Sequence, residues 1–273
     1  MANPIIKRAG EIRPVRPPEI HPTAVVHPDA RLGHGVKVGP FAIIGPHVEI
    51  GPECEIGSSV LIEGHTTLGR GNRVFHGAVI GTEPQDLKYR GELSYIEIGD
   101  DNVIREFVTV HLATGENEKT RLGDGNMLMA YVHVAHNCLI QDHCILANAV
   151  NLAGHVEVGR WAIIGGMTPV HQFVRIGEHA FIGGGSRMAQ DVAPYIRVAG
   201  NPVEVHGLNS VGLKRRGFDE ATLMNLKTAY RLLFRSGLNV SQALERIALD
   251  CALDPYIEEL MAFIRRSERG IVR

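Results

Sequence analysis

The sequence predicts a parallel β-helix capped by a small α-helical domain, and three observations carry that expectation. An aliphatic residue returns every six positions over most of the first two thirds of the chain. A small or β-branched residue stands two positions before it, and glycine often follows it. Near Pro194 this pattern gives way to the spacing of amphipathic helices. The expected division is an extension over residues 1–19, a β-helix over 20–194 and a helical domain over 195–273.

The aliphatic series runs Ile20, Val26, Leu32, Val38, Ile44, Ile50, Ile56, Ile62, Leu68, Val74 and Ile80. It resumes at Ile98, Ile104 and Val110, then continues from Leu122 through Val134, Leu152 and Ile182 to Met188. A period of six fits neither an α-helix nor a long alternating strand. It fits a three-sided prism with one hexad per side and three hexads per coil. The aliphatic side chains fill the interior, and residues such as Ala24, Val36, Cys54, Val60, Cys138 and Cys144 fit the tighter space beside them. Gly33, Gly39, Gly45 and Gly51 are expected to give the corners backbone freedom. About eight or nine coils at ~4.8 Å make a rod about 40 Å long. Each buried Ile, Val or Leu stabilises it by about 1.5–3 kcal/mol before chain entropy is subtracted.

Two polar stretches, residues 82–95 and 115–120, break the phase and are expected to form external loops at a binding face. Beyond the rod, Asp219 is a candidate N-cap for a helix that buries Leu223, Leu226, Tyr230 and Leu233 and closes at Gly237. Two further helical segments are expected over 240–250 and 255–267, and the whole cap shields the open end of the solenoid.

Composition removes several function classes. A net charge of −2 provides no field that favours nucleic acid or an anionic membrane. No stretch approaches about 18 uninterrupted apolar residues, so no membrane span is expected. The start carries Lys7, Arg8, Arg13 and Arg16 among Pro4, Pro14, Pro17 and Pro18 and lacks the apolar run of a signal peptide. It reads as a loose extension on a cytoplasmic protein. Cys54, Cys138, Cys144 and Cys251 form no CxxC pair and read as small buried thiols.

The chemistry points to histidine. His133, His136, His155 and His171 lie within three coils, and eighteen-residue winding stacks His136 over Gly154 and Asn137 over His155. An imidazole about 5 Å from the corner backbone of the next coil lets a base and an oxyanion donor share one carbonyl. His136 as general base is worth roughly 10²–10⁴ in rate, and the Gly154 N–H as oxyanion donor about 3 kcal/mol. The competing reading is that corner histidines are solvated, as His21, His27, His34 and His47 are expected to be. A zinc site shared between subunits would use His133 and His136, though no acidic pattern accompanies them. In the first insertion Gln85, Asp86 and Lys88 could hydrogen-bond a sugar or belong to an ordinary solvated loop. Lys214, Arg215 and Arg216 could grip a pyrophosphate or form a solvated basic run. Between Lys214 and Arg235 the balance is +4, which suggests an acidic macromolecular partner.

The segments IHPTAVV, GPHVEIG, PQDLKY, AHNCLI, LAGHVEV, AIIGGMTPVHQF and GLKRRGF together resemble the UDP-N-acetylglucosamine O-acyltransferases of lipid A biosynthesis. The resemblance covers nearly everything from Ile20 to Arg273. It implies a left-handed coil, against the usual right-handed crossover rule, and a homotrimer with sites between neighbouring rods. It implies an R-3-hydroxyacyl donor on acyl carrier protein, whose 4'-phosphopantetheine belongs to the donor so that the enzyme needs no cofactor of its own. The acceptor it implies is the glucosamine 3-hydroxyl of UDP-GlcNAc. By the resemblance His136 matches the family's base and Gly154 its oxyanion glycine. Asp86, Lys88, His133, His155, His171 and Gln172 match substrate contacts. Asn209 and Arg216 match positions near the nucleotide, with Arg215 beside them a further substrate-binding candidate; Gln85 matches a position facing the sugar 3-position, and Gly184 resembles the site that limits acyl length.

The chain departs from that pattern at Asn137, where many members have Asp. An amide oxygen there still accepts the imidazole N–H but brings no charge to stabilise an imidazolium. Val211 stands where some relatives have an acidic nucleotide contact, and the Pro/Arg-rich start is longer than usual. The alternatives are the N-acyltransferase acting one stage later, a CoA-dependent acetyltransferase, and a non-catalytic or zinc-binding hexapeptide protein. The N-acyltransferase resembles this rod with a uridine-binding domain in front, and only nineteen residues precede the first hexad here.

Overall fold

The computed structural model describes residues 16–273; the expected extension lies, up to residue 15, outside the described residues. The rod is a left-handed parallel β-helix whose three faces are sheets of short strands, mostly two to four residues long. Face A holds eleven strands, and faces B and C hold eight each. Register follows the hexads: Val25 pairs with Ile43, Leu139 with Glu157, and His133 with Asn151, each a full coil apart. The expected aliphatic positions point inward, and Ile44, Ile62, Leu128, Ile140, Leu152 and Ile164 are essentially sealed. All four cysteines are free and buried, Cys54, Cys138 and Cys144 at the small inward position.

The corners correct one expectation. The left-handed backbone conformation at the third corner residue is mostly taken by non-glycine residues, among them Phe41 (φ 59°), Tyr131 (φ 63°), Asn137 (φ 58°), His155 (φ 60°) and Trp161 (φ 63°). Gly33, Gly39 and Gly51 are there for another reason: a Cβ on Gly33 would lie 2.7 Å from the backbone of Pro52 on the next coil. Close approach of stacked backbones, not conformational freedom, selects glycine at the first corner residue. The coil stacking offsets the αL cost of about 1–2 kcal/mol at each third residue.

Both insertions leave from the corner between faces B and C. The first runs from Thr82 at the end of its strand to Tyr95. The second leaves after His111, three residues earlier than the sequence suggested, and returns at Lys119. Where faces C and A meet, a column of inward amides, Asn72, Asn102 and Asn126, passes hydrogen bonds from coil to coil, leaving only the Asn126 Nδ2 of the column without a partner among the described residues.

Face A continues past the expected boundary at 194. The strand Ile196–Ala199 pairs with Phe181–Ile182, and Glu204–Leu208 folds back on it antiparallel. A short helix α1 (Ser210–Arg215) follows, then α2 (Glu220–Phe234), α3 (Val240–Asp250) and α4 (Pro255–Arg265). Asp219 caps α2 through the Thr222 N–H, as expected. The cap locks to the rod through Asp191, which accepts from the Ser267 hydroxyl, and through Arg175, which donates to the Arg266 carbonyl.

Candidate active site

Three corners carry the residues singled out by sequence, and the B–C corner gathers most of the histidines with Asp86, Asn137 and Gly154. At the B–C corner the 18-residue register sets His136 over Gly154, whose built Cβ would lie 2.5 Å from His136 Nε2. Any side chain at Gly154 would displace the imidazole. Gly154 is buried, and its N–H has no acceptor among the described residues. A buried donor without a partner beside an imidazole is uncommon in a folded chain.

The hydrogen bonds around His136 fix which nitrogen is which. The Thr114 N–H donates to Asn137 Oδ1 (3.0 Å), and Asn137 Nδ2 donates to the Thr114 carbonyl (3.1 Å). A peptide N–H cannot accept and a carbonyl cannot donate, so the Asn137 amide has one orientation. Its oxygen also lies 2.9 Å from His136 Nδ1. That ring nitrogen therefore carries a proton, so in the neutral imidazole the lone pair is on Nε2. Nε2 faces Asp86 Oδ2 at 3.8 Å, with the His136 and Asp86 side chains only 14% and 18% exposed. Two acceptors too far apart to bond each other leave a slot for a hydroxyl donor. The Lys88 backbone N–H, 3.0 Å from Asp86 Oδ1, holds the Asp86 carboxyl below its usual range. The negative charge that Asn137 lacks is thus supplied from the first insertion.

His133 and His155 flank the pair. Burial, followed by the nearby His111 and His136, pushes His133 down to about 4, and Thr109 Oγ1 pairs with its Nδ1 at 2.7 Å. Burial likewise lowers His155, whose ring meets His136 edge-on at 5.2 Å and stacks on Phe173 at 4.6 Å. Both are neutral groups at pH 7, able to hydrogen-bond without adding charge. His171 and Gln172 are exposed one coil beyond Ala153 and Gly154, on the side away from His136, and Gln85 and Lys88 are exposed on the first insertion.

Sequence reasoning missed two groups here. His111 is buried beside His133, with Nδ1 donating to the Glu83 carbonyl at 2.7 Å; its place directly after Val110 in the hexad series was the available signal. Thr114 gives no signal, because its contribution is made by its peptide group. Among the described residues no cluster of three or more His, Cys, Asp or Glu is arranged to hold a metal ion.

The remaining residues lie elsewhere. Gly184 is exposed at the A–B corner above Gly166, whose carbonyl a Cβ on Gly184 would meet at 3.1 Å. Asn209, Arg215 and Arg216 gather at the C–A corner. The Asn209 side chain caps α1 and donates to the His179 carbonyl at 2.9 Å. Arg215 is exposed, and the Arg216 guanidinium lies 3.8 Å from the centre of the Trp161 ring with no carboxylate paired to it among the described residues. One chain therefore does not bring its basic residues to its own His136. A groove of about 1090 Å³ lies on face C under α4, away from the histidines. Its charges are paired within it, Arg175 with Glu157 and Arg121 with Glu97.

Two family profiles match the chain. The one described as Udp N-acetylglucosamine O-acyltransferase, Domain 2, matches residues 191–272, and that of the bacterial transferase hexapeptide matches 29–64. An acyl-[acyl-carrier-protein]–UDP-N-acetylglucosamine O-acyltransferase of Synechocystis sp. is 57% identical over 250 residues, covering 92% of this chain and 90% of the relative. Its counterpart in Gloeothece citriformis is 53% identical over 208 residues, covering 76% and 75%. The chain belongs to the UDP-N-acetylglucosamine O-acyltransferase family. The solved acyltransferase LpxA of Acinetobacter baumannii superposes with a TM-score of 0.90 at 41% identity, covering 93% of this chain and 99% of that one. The Arabidopsis UDP-N-acetylglucosamine acyltransferase superposes with a TM-score of 0.81 at 38% identity, covering 93% and 100%. Membership makes the chain an acyltransferase. No helix of the described residues is long and apolar enough to cross a membrane.

Proposed function

We propose that this acyltransferase moves an R-3-hydroxyacyl chain from acyl carrier protein to the 3-hydroxyl of the GlcNAc unit of UDP-GlcNAc, the first step of lipid A biosynthesis, with His136 as general base. One observation carries the mechanism: His136, with Nδ1 bonded to Asn137, lies over Gly154, a buried residue whose N–H has no acceptor among the described residues. Nε2 removes the proton as the acceptor oxygen forms its bond to the thioester carbon. The Gly154 N–H meets the charge that develops on the carbonyl oxygen. Collapse breaks the carbon–sulfur bond, and the imidazolium returns its proton to the leaving phosphopantetheine thiolate. Asp86 stabilises the imidazolium in between. The phosphopantetheine is part of the substrate, and the residues of this chain supply all of the acid–base chemistry. Gln85 on the first insertion is the contact to the sugar 3-position, and an open Gly184 leaves room for a longer acyl chain.

The same reading includes a homotrimer. The A–B corner exposes Phe41, Phe107, Tyr131 and Met167 in a column, the last 75% exposed, an apolar strip of the kind that marks an interface. Face C presents Arg31, Glu49, Glu97, Arg121, Glu157 and Arg175 outward instead. With the apolar corner on the three-fold axis, the C–A corner of one copy faces the B–C corner of the next. Arg215, Arg216 and Asn209 then reach the nucleotide of a neighbour's substrate.

The test is mass spectrometry of products from UDP-GlcNAc with a panel of hydroxyacyl carrier proteins. Wild type yields one O-acylated sugar nucleotide. His136→Ala loses at least about 10²-fold in kcat with an unchanged circular dichroism spectrum. Retained activity in that variant would require another base.

A further inference from the structure

Two loops that the hexad pattern treats as interruptions are braced against each other and against the base. Glu92 Oε2 accepts from the Arg90 N–H at 2.7 Å within the first insertion, and its Oε1 accepts from the Gly115 N–H of the second at 2.8 Å. Leu93 joins the same brace twice: its N–H donates to Glu116 Oε2 at 3.2 Å, and its carbonyl accepts from the Asn117 N–H at 2.7 Å. Gly115 takes φ +106°, a backbone that a side chain rarely adopts. The peptide before it is the Thr114 unit that orients the Asn137 amide. The path from Glu92 to His136 therefore runs through three groups: the Thr114–Gly115 peptide, whose N–H donates to Glu92 and whose carbonyl accepts from Asn137 Nδ2, then the Asn137 amide, then the imidazole Nδ1.

We propose that Glu92 is a positioning residue that, through the second insertion, sets the tautomer of His136 and ties the loop bearing Asp86 and Lys88 to the base. This inference rests on the reading of His136 as base, but the tautomer itself is measurable without any turnover. Asparagine at 137 suits this arrangement better than aspartate. A carboxylate would place an oxygen against the Thr114 carbonyl, where the Nδ2 of the amide now donates. The loop therefore contributes orientation, and Asp86 on the other loop contributes charge.

The experiment uses the full chain labelled with 15N-histidine, with the His136 tautomer read from long-range 1H–15N correlations alongside steady-state kinetics with UDP-GlcNAc. Wild type shows the proton on Nδ1. Glu92→Ala is expected to give a mixed tautomer and a fall in kcat of about tenfold, with KM for UDP-GlcNAc within about twofold. Glu92→Gln keeps one acceptor, enough for the Gly115 N–H but not for the Arg90 N–H as well, and restores the tautomer with part of the lost kcat. Gly115→Ala strains the same link from the other side, leaving Glu92 intact, and gives the same tautomer loss. A wild-type tautomer in both Glu92→Ala and Gly115→Ala overturns the proposal, as does a rise in KM alone, which would make Glu92 a brace for Asp86 and Lys88 only. Wild-type protein that shows the Nδ1 tautomer without acyl transfer would sink the functional reading and leave this inference standing.

Discussion

The B–C and C–A corners are built from the same backbone turn and both stack rings every eighteen residues, yet they hold opposite chemistry. At B–C three imidazoles have polar partners: His133 the Thr109 hydroxyl, His111 the Glu83 carbonyl, His136 the Asn137 amide. At C–A the column is His143, Trp161, His179 and Tyr195 stacked face on face, with Arg216 laid on Trp161 and no carboxylate against it among the described residues. His179 is buried, and its Nδ1 has no partner among the described residues. The repeat supplies only positions. Whether a corner reacts or packs is decided by what leans over it: polar insertions in one case, α1 and Phe218 in the other.

Three substitutions probe that contrast. The strongest change should come from Gly154→Ala at B–C, where the new methyl collides with the His136 ring. Kinetics should show kcat reduced about 10²-fold, whereas thermal unfolding should change little. A variant within about threefold of wild type would mean that the base does not sit over that glycine during turnover. Next is Trp161→Ala at C–A, which frees the Arg216 guanidinium. A cation–π contact of about 1 kcal/mol translates into a rise of about fivefold in KM for UDP-GlcNAc with kcat preserved. An equal fall in kcat would place this corner in the chemical step instead.

The weakest change concerns acid stability. Burial pushes His179 down to about 4, so below about pH 6.5 the unfolded chain takes up a proton that the folded ring refuses until about pH 4. The unfolded state binds more protons in that window, so the contribution is complete above about pH 6.5 and is lost as pH falls towards about 4. His179→Phe should therefore lessen the drop in Tm between those values, by about 2–4 °C for an effect on the order of 1 kcal/mol. His133, depressed for the same reason, should leave a residual slope at B–C. An unchanged profile would show that His179 is protonated in the folded protein.

Much of the architecture was legible because a parallel coil of fixed length turns sequence spacing into spatial stacking. Ile140 needs no partner search: Val158 stands eighteen residues on, and the two pair. His136 over Gly154 followed from the same arithmetic. The corner glycines were read for the wrong cause, since spacing says nothing about how closely two backbones pass. The boundary at 194 was also too early, because Ile196–Ala199 adds to face A without an inward hexad pattern of the usual length.

Local, periodic facts belong to the order of residues alone: the coil, the inward ladder, the capped helices and the vertical neighbours of each histidine. Only folding in three dimensions decided the tautomer of His136, the reach of Asp86 across the corner, the brace between the two insertions and the removal of Arg216 to another corner. These depend on where aperiodic loops and the helical cap come to rest. Such placements are fixed by hydrogen bonds of peptide groups, such as those of Thr114 and Gly115, which nearly every residue type carries and which leave no mark in the order of side chains.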